Sequence, residues 1–189
     1  MKEDGEHVSL GFWKNASSRR RRIITILLVF VFMVILTALA MLTPMSKQEA
    51  TTTNNDLNQT VNDLSTSGSL LQYIYGNNFM ITMIMFVPFV GALFGFYVLY
   101  NTGVTLEAEG IAQNVPPILV LISVFLTPVG WLEFAAYSTA IAASIWLSAR
   151  IVQNRGRHEL SNTAKFISVC AAILLVSAII EVILIQVVA

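Results

Sequence analysis

Residues 115–149 read VPPILVLISVFLTPVGWLEFAAYSTAIAASIWLSA, 35 positions with a single charge at Glu133. A continuous helix of that length would reach about 52 Å, whereas one bilayer crossing takes about 20 residues. Pro128 and Gly130 divide the stretch into 116–127, about half a span, and 131–149, a full one. Directly after it come Arg150, Arg155, Arg157, His158 and Lys165, a basic connection that belongs on the cytoplasmic side. Residues 101–114 fall on that side too if 79–100 crosses once from outside to inside. The chain then has to leave and return between 115 and 149, either as two spans or as a half-helix plus a span turning near the outer face. A single broken span is rejected, because it would put the basic connection outside.

The rest of the chain agrees with a membrane reading. Hydrophobic residues make up 56% and charged ones 12%, about half the charge of a soluble domain. The charges cluster at 2–6, 14–22, 47–63, 107–109 and 150–165, leaving apolar runs between them. The fold class is therefore all-α: a polytopic transmembrane helical bundle with about five membrane segments, one of them half-length if 116–127 re-enters. The net charge is zero and gives no ground for a nucleic-acid partner. The expected partners are the lipid bilayer and other integral membrane subunits.

Four regions follow in order. Residues 1–22 form a basic cytoplasmic tail, and 23–43 a signal-anchor helix. The apolar run at 23–42 ends in Ala38-Leu39-Ala40, like a cleavage site, but it exceeds the roughly 7–15 residues of a signal-peptide core. Arg19, Arg20, Arg21 and Arg22 should hold the N-terminus in the cytoplasm and face anionic lipid headgroups, at about 1 kcal/mol per charge. Residues 44–76 form an extracytoplasmic polar loop with short amphipathic helices. Within it the run Thr51-Thr52-Thr53-Asn54-Asn55 reads as too polar and β-branched for a helix. Asp56 then caps a short helix with Leu57, Val61 and Leu64 on one face. Gly68 breaks that helix, and Leu70, Leu71 and Ile74 make a second apolar face. Asn58-Gln59-Thr60 is an N-glycosylation acceptor sequence.

The multi-helix transmembrane core occupies 77–189. Asn77 and Asn78 open its first helix, Pro88 kinks it, and Gly91 and Gly95 share one face that lets another helix approach closely. The last span is 166–188. Glu133 lies 17 residues from Arg150 and Glu181 lies 16 from Lys165, about 25 and 24 Å along antiparallel helices. Both carboxyls thus come to one level near the outer face, where Asn77 and Asn78 also lie. Such a layer can bond helices together, pass a cation or proton, or face a partner or polar ligand. Thr127 is placed to cap the helix that Pro128 starts.

No catalytic, cofactor or metal residue is expected. His7 and His158 are extramembrane and far apart, and no His, Cys and carboxylate set has ligand spacing. Met80, Met83 and Met85 read as lipid-facing or core, Cys170 as a packing thiol, and Glu107 with Glu109 as a solvated turn. Ala136, Ala140 and Ala143 form a second small-residue face.

The spacing of these motifs resembles the stage II sporulation protein M family over roughly residues 70–187. That family carries a paired Asn, an Asn-x-Gly turn, a Pro-His-Gly-x-x-Glu-x-x-Ala motif and a late Ala-Ala…Glu helix. The corresponding positions here are Asn77-Asn78, Asn101-Thr102-Gly103, Pro128-Val129-Gly130 with Glu133 and Ala136, and Ala171-Ala172 with Glu181. Val129 replaces the motif His. The resemblance implies a multi-pass cell-membrane protein. In its sporulation branch it implies a membrane-anchored complex that remodels the cell wall, a role not carried over here because the His is replaced and the Asn/Thr-rich loop suits another partner. The functional expectation is a non-catalytic scaffold or accessory subunit of a membrane complex, with a small transporter or channel using the Glu133/Glu181 layer as the alternative.

Overall fold

The computed structural model describes residues 17–188, which fold into α1 (Ser18–Ala40), α2 (Lys47–Thr66), α3 (Leu70–Met85), α4 (Gly91–Gln113), α5 (Pro117–Leu126), α6 (Pro128–Val152) and α7 (Gly156–Val188). Three of these, α1, α6 and α7, are long and apolar enough to cross a bilayer, and α4 with α5 makes a fourth apolar unit bent by 114°. The all-α membrane bundle stands.

The central helix is α6, which packs on α1, α3, α4, α5 and α7. Its buried face is rich in Ala136, Ala140, Ala142, Ala143, Ser138 and Ser144. In lipid, association rests on close packing and hydrogen bonds, and small side chains let backbones meet. Running antiparallel to α6, α7 sends the Cys170 thiol toward the Ala136 carbonyl at 3.5 Å and the Ser177 hydroxyl toward the Val129 carbonyl at 3.4 Å. Cys170 is the buried packing residue expected of it. On another side Phe30 of α1 stacks on Trp131 and meets Phe134 edge-on.

One end of the bundle carries the ion pair between Arg22 and Glu159, with a bond of 2.6 Å. The opposite end is marked by the Lys47 ammonium on the Asn114 carboxamide oxygen at 3.2 Å.

The path between those ends differs from the sequence reading. Residues 79–100 are not one span. Helix α3 stops at Met85, the chain turns through Phe86–Val90, and α4 starts back at Gly91. Pro88 lies in the turn, and Phe89 adopts a left-handed φ of 68°. Ser148 accepts the Phe89 N–H at 2.7 Å, and Ser144 donates to the Val87 carbonyl at 2.7 Å. Ser148 thus gives the Phe89 N–H its acceptor, while Ser144 is a second donor to the Val87 carbonyl, which also accepts the Gly91 N–H at 2.8 Å. The turn therefore sits near the Arg150 end of α6.

From there α4 runs alongside α1, with Phe96 against Phe32 and Gly103 against Thr37 and Ala40. It ends at Asn114, a left-handed C-cap beside Lys47. Residues 101–114 thus lie toward the end opposite Arg22 and Glu159, not with the basic connection. The correction preserves the fate of 150–165: the return happens one turn earlier, so α5 plus α6 makes a single broken descent and Arg150 stays at the basic end. Asn101, Gly103, Glu107 and Glu109 are helical rather than parts of a turn. Asn101 donates to the Tyr97 carbonyl at 2.8 Å, and Glu109 accepts from Gln113 at 3.0 Å.

The outer segment also differs. Residues 51–55 are helical, and α2 begins at Lys47, not after Asp56. Ser46 and Glu49 form a reciprocal capping box, with Ser46 N–H to Glu49 at 2.9 Å and Glu49 N–H to the Ser46 hydroxyl at 3.2 Å. Thr51 and Thr52 donate to the carbonyls of Lys47 and Gln48 at 2.8 and 3.0 Å. Their hydroxyls are satisfied inside the helix, so polarity does not unravel it. Ala50 is fully buried, and α2 packs along α4, a tertiary support that local propensity does not contain. Gly68 does end this stretch, at φ 69°. Leu70, Leu71 and Ile74 begin α3 itself, so Asn77 and Asn78 lie in mid-helix instead of opening one.

Candidate functional site

Polar groups of three helices meet at one cavity of about 220 Å³. Glu133 enters from α6, Glu181 from α7, and Asn77 and Asn78 from α3, while Val61 and Leu64 of α2 close over them. Asn78 donates to a Glu133 carboxyl oxygen at 2.6 Å. The Asn78 carbonyl in turn accepts the Thr82 hydroxyl at 2.7 Å. Asn77 is exposed at the rim, whereas Asn78, Glu133 and Glu181 are half-buried. All four side chains that the sequence puts at one level line this cavity, and a hydrogen bond joins Asn78 directly to Glu133.

The register of α6 explains why Glu133 is there. Pro128 occupies the first helical turn, where its missing N–H costs nothing and its fixed φ suits a helix. Gly130 allows the elbow between α5 and α6: a Cβ there would sit 2.7 Å from the Val124 Cγ1. Glu133 follows one turn later and points at α3. Thr127 does not cap α6 as expected. Its hydroxyl donates to the Val124 carbonyl at 3.1 Å, closing the end of α5. The rotamer that reaches this carbonyl serves one of the α5 carbonyls that a helix end leaves without an intrahelical partner.

Toward the basic end the cavity is stopped by packed side chains. Tyr137 lies one helical turn beyond Glu133, and Met85, Ile141 and Leu174 follow with no exposed surface. Gly95 packs on Ile141, and Gly91 packs on the backbone of its own turn at Met85. Tyr137, Ser144 and Ser148 were missed from sequence. Their signal was the i, i+4 spacing of Tyr137 from Glu133, and of Ser148 from Ser144, on the Ala-rich face of α6.

The arginines divide. Arg22 is held by Glu159 and lies over the Trp146 ring at 5.5 Å from its centroid, so it is committed to its own chain rather than to lipid alone. Arg19 and Arg20 are exposed. Glu159 was read only as part of a charged connection, and its pairing across 137 positions had no local signal. Asn58 is exposed on α2. Among the described residues no group of three or more His, Cys, Asp or Glu is placed to hold a metal. His7 lies outside the described residues.

A bundle with apolar, lipid-length helices, a half-length α5 tucked against α6 and an interhelical carboxylate–carboxamide link is a multi-pass helical membrane protein. The family model described as stage II sporulation protein M matches residues 24–184, and the chain belongs to that family. No curated protein and no solved structure matches it. Where the resemblance places a His, Val129 contributes its backbone carbonyl to the α6–α7 contact through Ser177.

Proposed function

We propose that this chain is a non-catalytic scaffold or accessory subunit of a larger complex in the cell membrane, with its basic end in the cytoplasm. The observation that carries the reading is where its membrane polar groups go: they join helices of the same chain. Asn78 bonds Glu133, Ser144 and Ser148 hold the 86–90 turn, and Ser177 reaches Val129. Buried polar bonds of this kind fix helix register. The amphipathic α2 lies along α4 and presents an exposed polar face, Asn58 included, at the opposite end of the bundle. An ordered surface carried on a rigid membrane base suits attachment of partner subunits.

The transporter reading rests on Glu133 and Glu181 sharing a cavity. Against it stands the packed apolar layer of Met85, Ile141 and Leu174 beyond that cavity, because an ion path needs a continuous polar route. Mild-detergent purification from the native membrane, followed by mass spectrometry, tests the choice. The expected outcome is co-purification with other membrane subunits at a fixed ratio. Recovery as a lone monomer that conducts ions in liposomes, with conduction lost in Glu181→Gln, would replace the scaffold by the transporter.

A further inference from the structure

At the basic end the starts of α1 and α7 and the end of α6 enclose a cavity of about 560 Å³. Arg19, Arg22, Arg150, Arg155 and Lys165 line it, against one carboxylate, Glu159. That carboxylate is already engaged by Arg22, and its side chain is only 5% exposed. Four positive charges are left converging, Arg19, Arg150 and Lys165 from three helices and Arg155 from the connection between α6 and α7. Arg150 donates to the Gln153 side-chain amide oxygen at 3.1 Å and lies over the Trp146 ring. Arg19, Arg155 and Lys165 have no carboxylate partner among the described residues. Like charges drawn into one concavity repel, and an anion relieves the repulsion. Guanidinium forks fit phosphate oxygens in particular.

The depth of the cavity selects the source of that phosphate. Arg22 directly precedes the apolar run of α1, and Lys165 directly precedes Phe166, which also lines the cavity. Beyond it, Ile23 and Leu27 on α1 and Val169 on α7 are each more than half exposed, at 52, 59 and 53%. A ligand with a phosphate head and acyl chains meets the cations and the apolar surfaces together, whereas a free phosphate uses only the first. We infer that this cavity binds the headgroup of an anionic phospholipid of the cytoplasmic leaflet, with the Arg22–Glu159 pair as its floor and Arg150, Arg155 and Lys165 as its anion-holding groups.

Native mass spectrometry of the full chain, released from mixed micelles of phosphatidylglycerol and phosphatidylcholine, tests this. Phosphatidylglycerol should be retained in preference. The double variant Arg155→Gln/Lys165→Gln should lower its retention by roughly thirtyfold, the effect of removing two charges at headgroup depth. Both side chains are exposed, so the melting temperature in pure phosphatidylcholine should not move. Equal retention of the two lipids, or retention unchanged in the double variant, overturns the site. Excess glycerol 1-phosphate should leave the bound lipid in place; its displacement would overturn the lipid assignment in favour of a small soluble phosphate.

Discussion

Asn78 and Asn77 are chemically identical neighbours with different surroundings, and their substitution separates structure from composition. Asn78→Ala removes the donor to Glu133 and leaves a half-buried carboxyl without that partner. The expected loss is about 1–3 kcal/mol of stability, read as a lower melting temperature in detergent. Asn77→Ala, at the exposed rim, should be close to neutral. Equal effects would mean that the Asn78–Glu133 bond contributes nothing. At the other end of the size scale of contacts, Glu49 is fully exposed, yet its carboxyl is held below the ordinary 4.5 by the Ser46 backbone N–H and hydroxyl. A depressed folded value means that the cap is fully present above 4.5 and is lost as pH falls through the lower folded value. Protection of the first-turn amides of α2 against exchange should accordingly fall only on that acid side, and Glu49→Gln, which removes the titrating group, should abolish that pH dependence.

Among the elements, α4 shows how one glycine differs from another. A Cβ at Gly95 would lie 2.5 Å from the Ile141 Cδ1, the far end of a side chain that can change rotamer. At Gly103 the obstacles are the Thr37 backbone carbonyl and the Ala40 Cβ at 2.6 Å, and both belong to a helix backbone or its root. Gly103→Ala should therefore destabilise more than Gly95→Ala, the former by about 1–3 kcal/mol. Thermal melts of the two variants in one detergent check the order; the reverse order would mean that α1 and α4 slide apart easily. The 86–90 turn offers a second test. Ser148→Ala removes the acceptor of the Phe89 N–H; because this bond is exposed, about 0.5–1.5 kcal/mol should be lost, read as a lower melting temperature.

For the whole molecule the test is sidedness. With Cys170→Ser as background, Asn114→Cys and Lys47→Cys should be labelled from one side of the membrane and Gly156→Cys from the other. Labelling of residues 114 and 156 from the same side would restore a single crossing at 79–100 and remove α4 as the returning helix. The position of Glu133, Glu181 and Asn78 around one cavity is compatible with either path, because it depends only on α3, α6 and α7.

The apolar runs by themselves determined the class, since in lipid only helices and closed barrels satisfy the backbone, and a continuous apolar run of about 20 residues is the length of a helix, not of a barrel strand. They also determined the shared depth of Glu133 and Glu181, because helical rise is constant and Arg150 and Lys165 mark a common end. Gly68 and Pro128 were legible for local reasons of opposite kind: glycine takes the left-handed φ of 69° that ends a helix, and proline fixes φ and lacks an N–H, which suits a helix start. What depended on contacts was not legible. Residues 47–55 are helical where Ala50 and its neighbours pack on α4, and the break in 79–100 is held by Ser144 and Ser148, whose hydroxyls bond the backbone of the 86–90 turn. Pro88 signalled only a bend; whether the chain bent slightly or turned back was decided by hydroxyls on α6, more than fifty residues away. The meeting of Arg22 with Glu159 had the same origin, because charge pairing between distant positions exists only after the helices have packed.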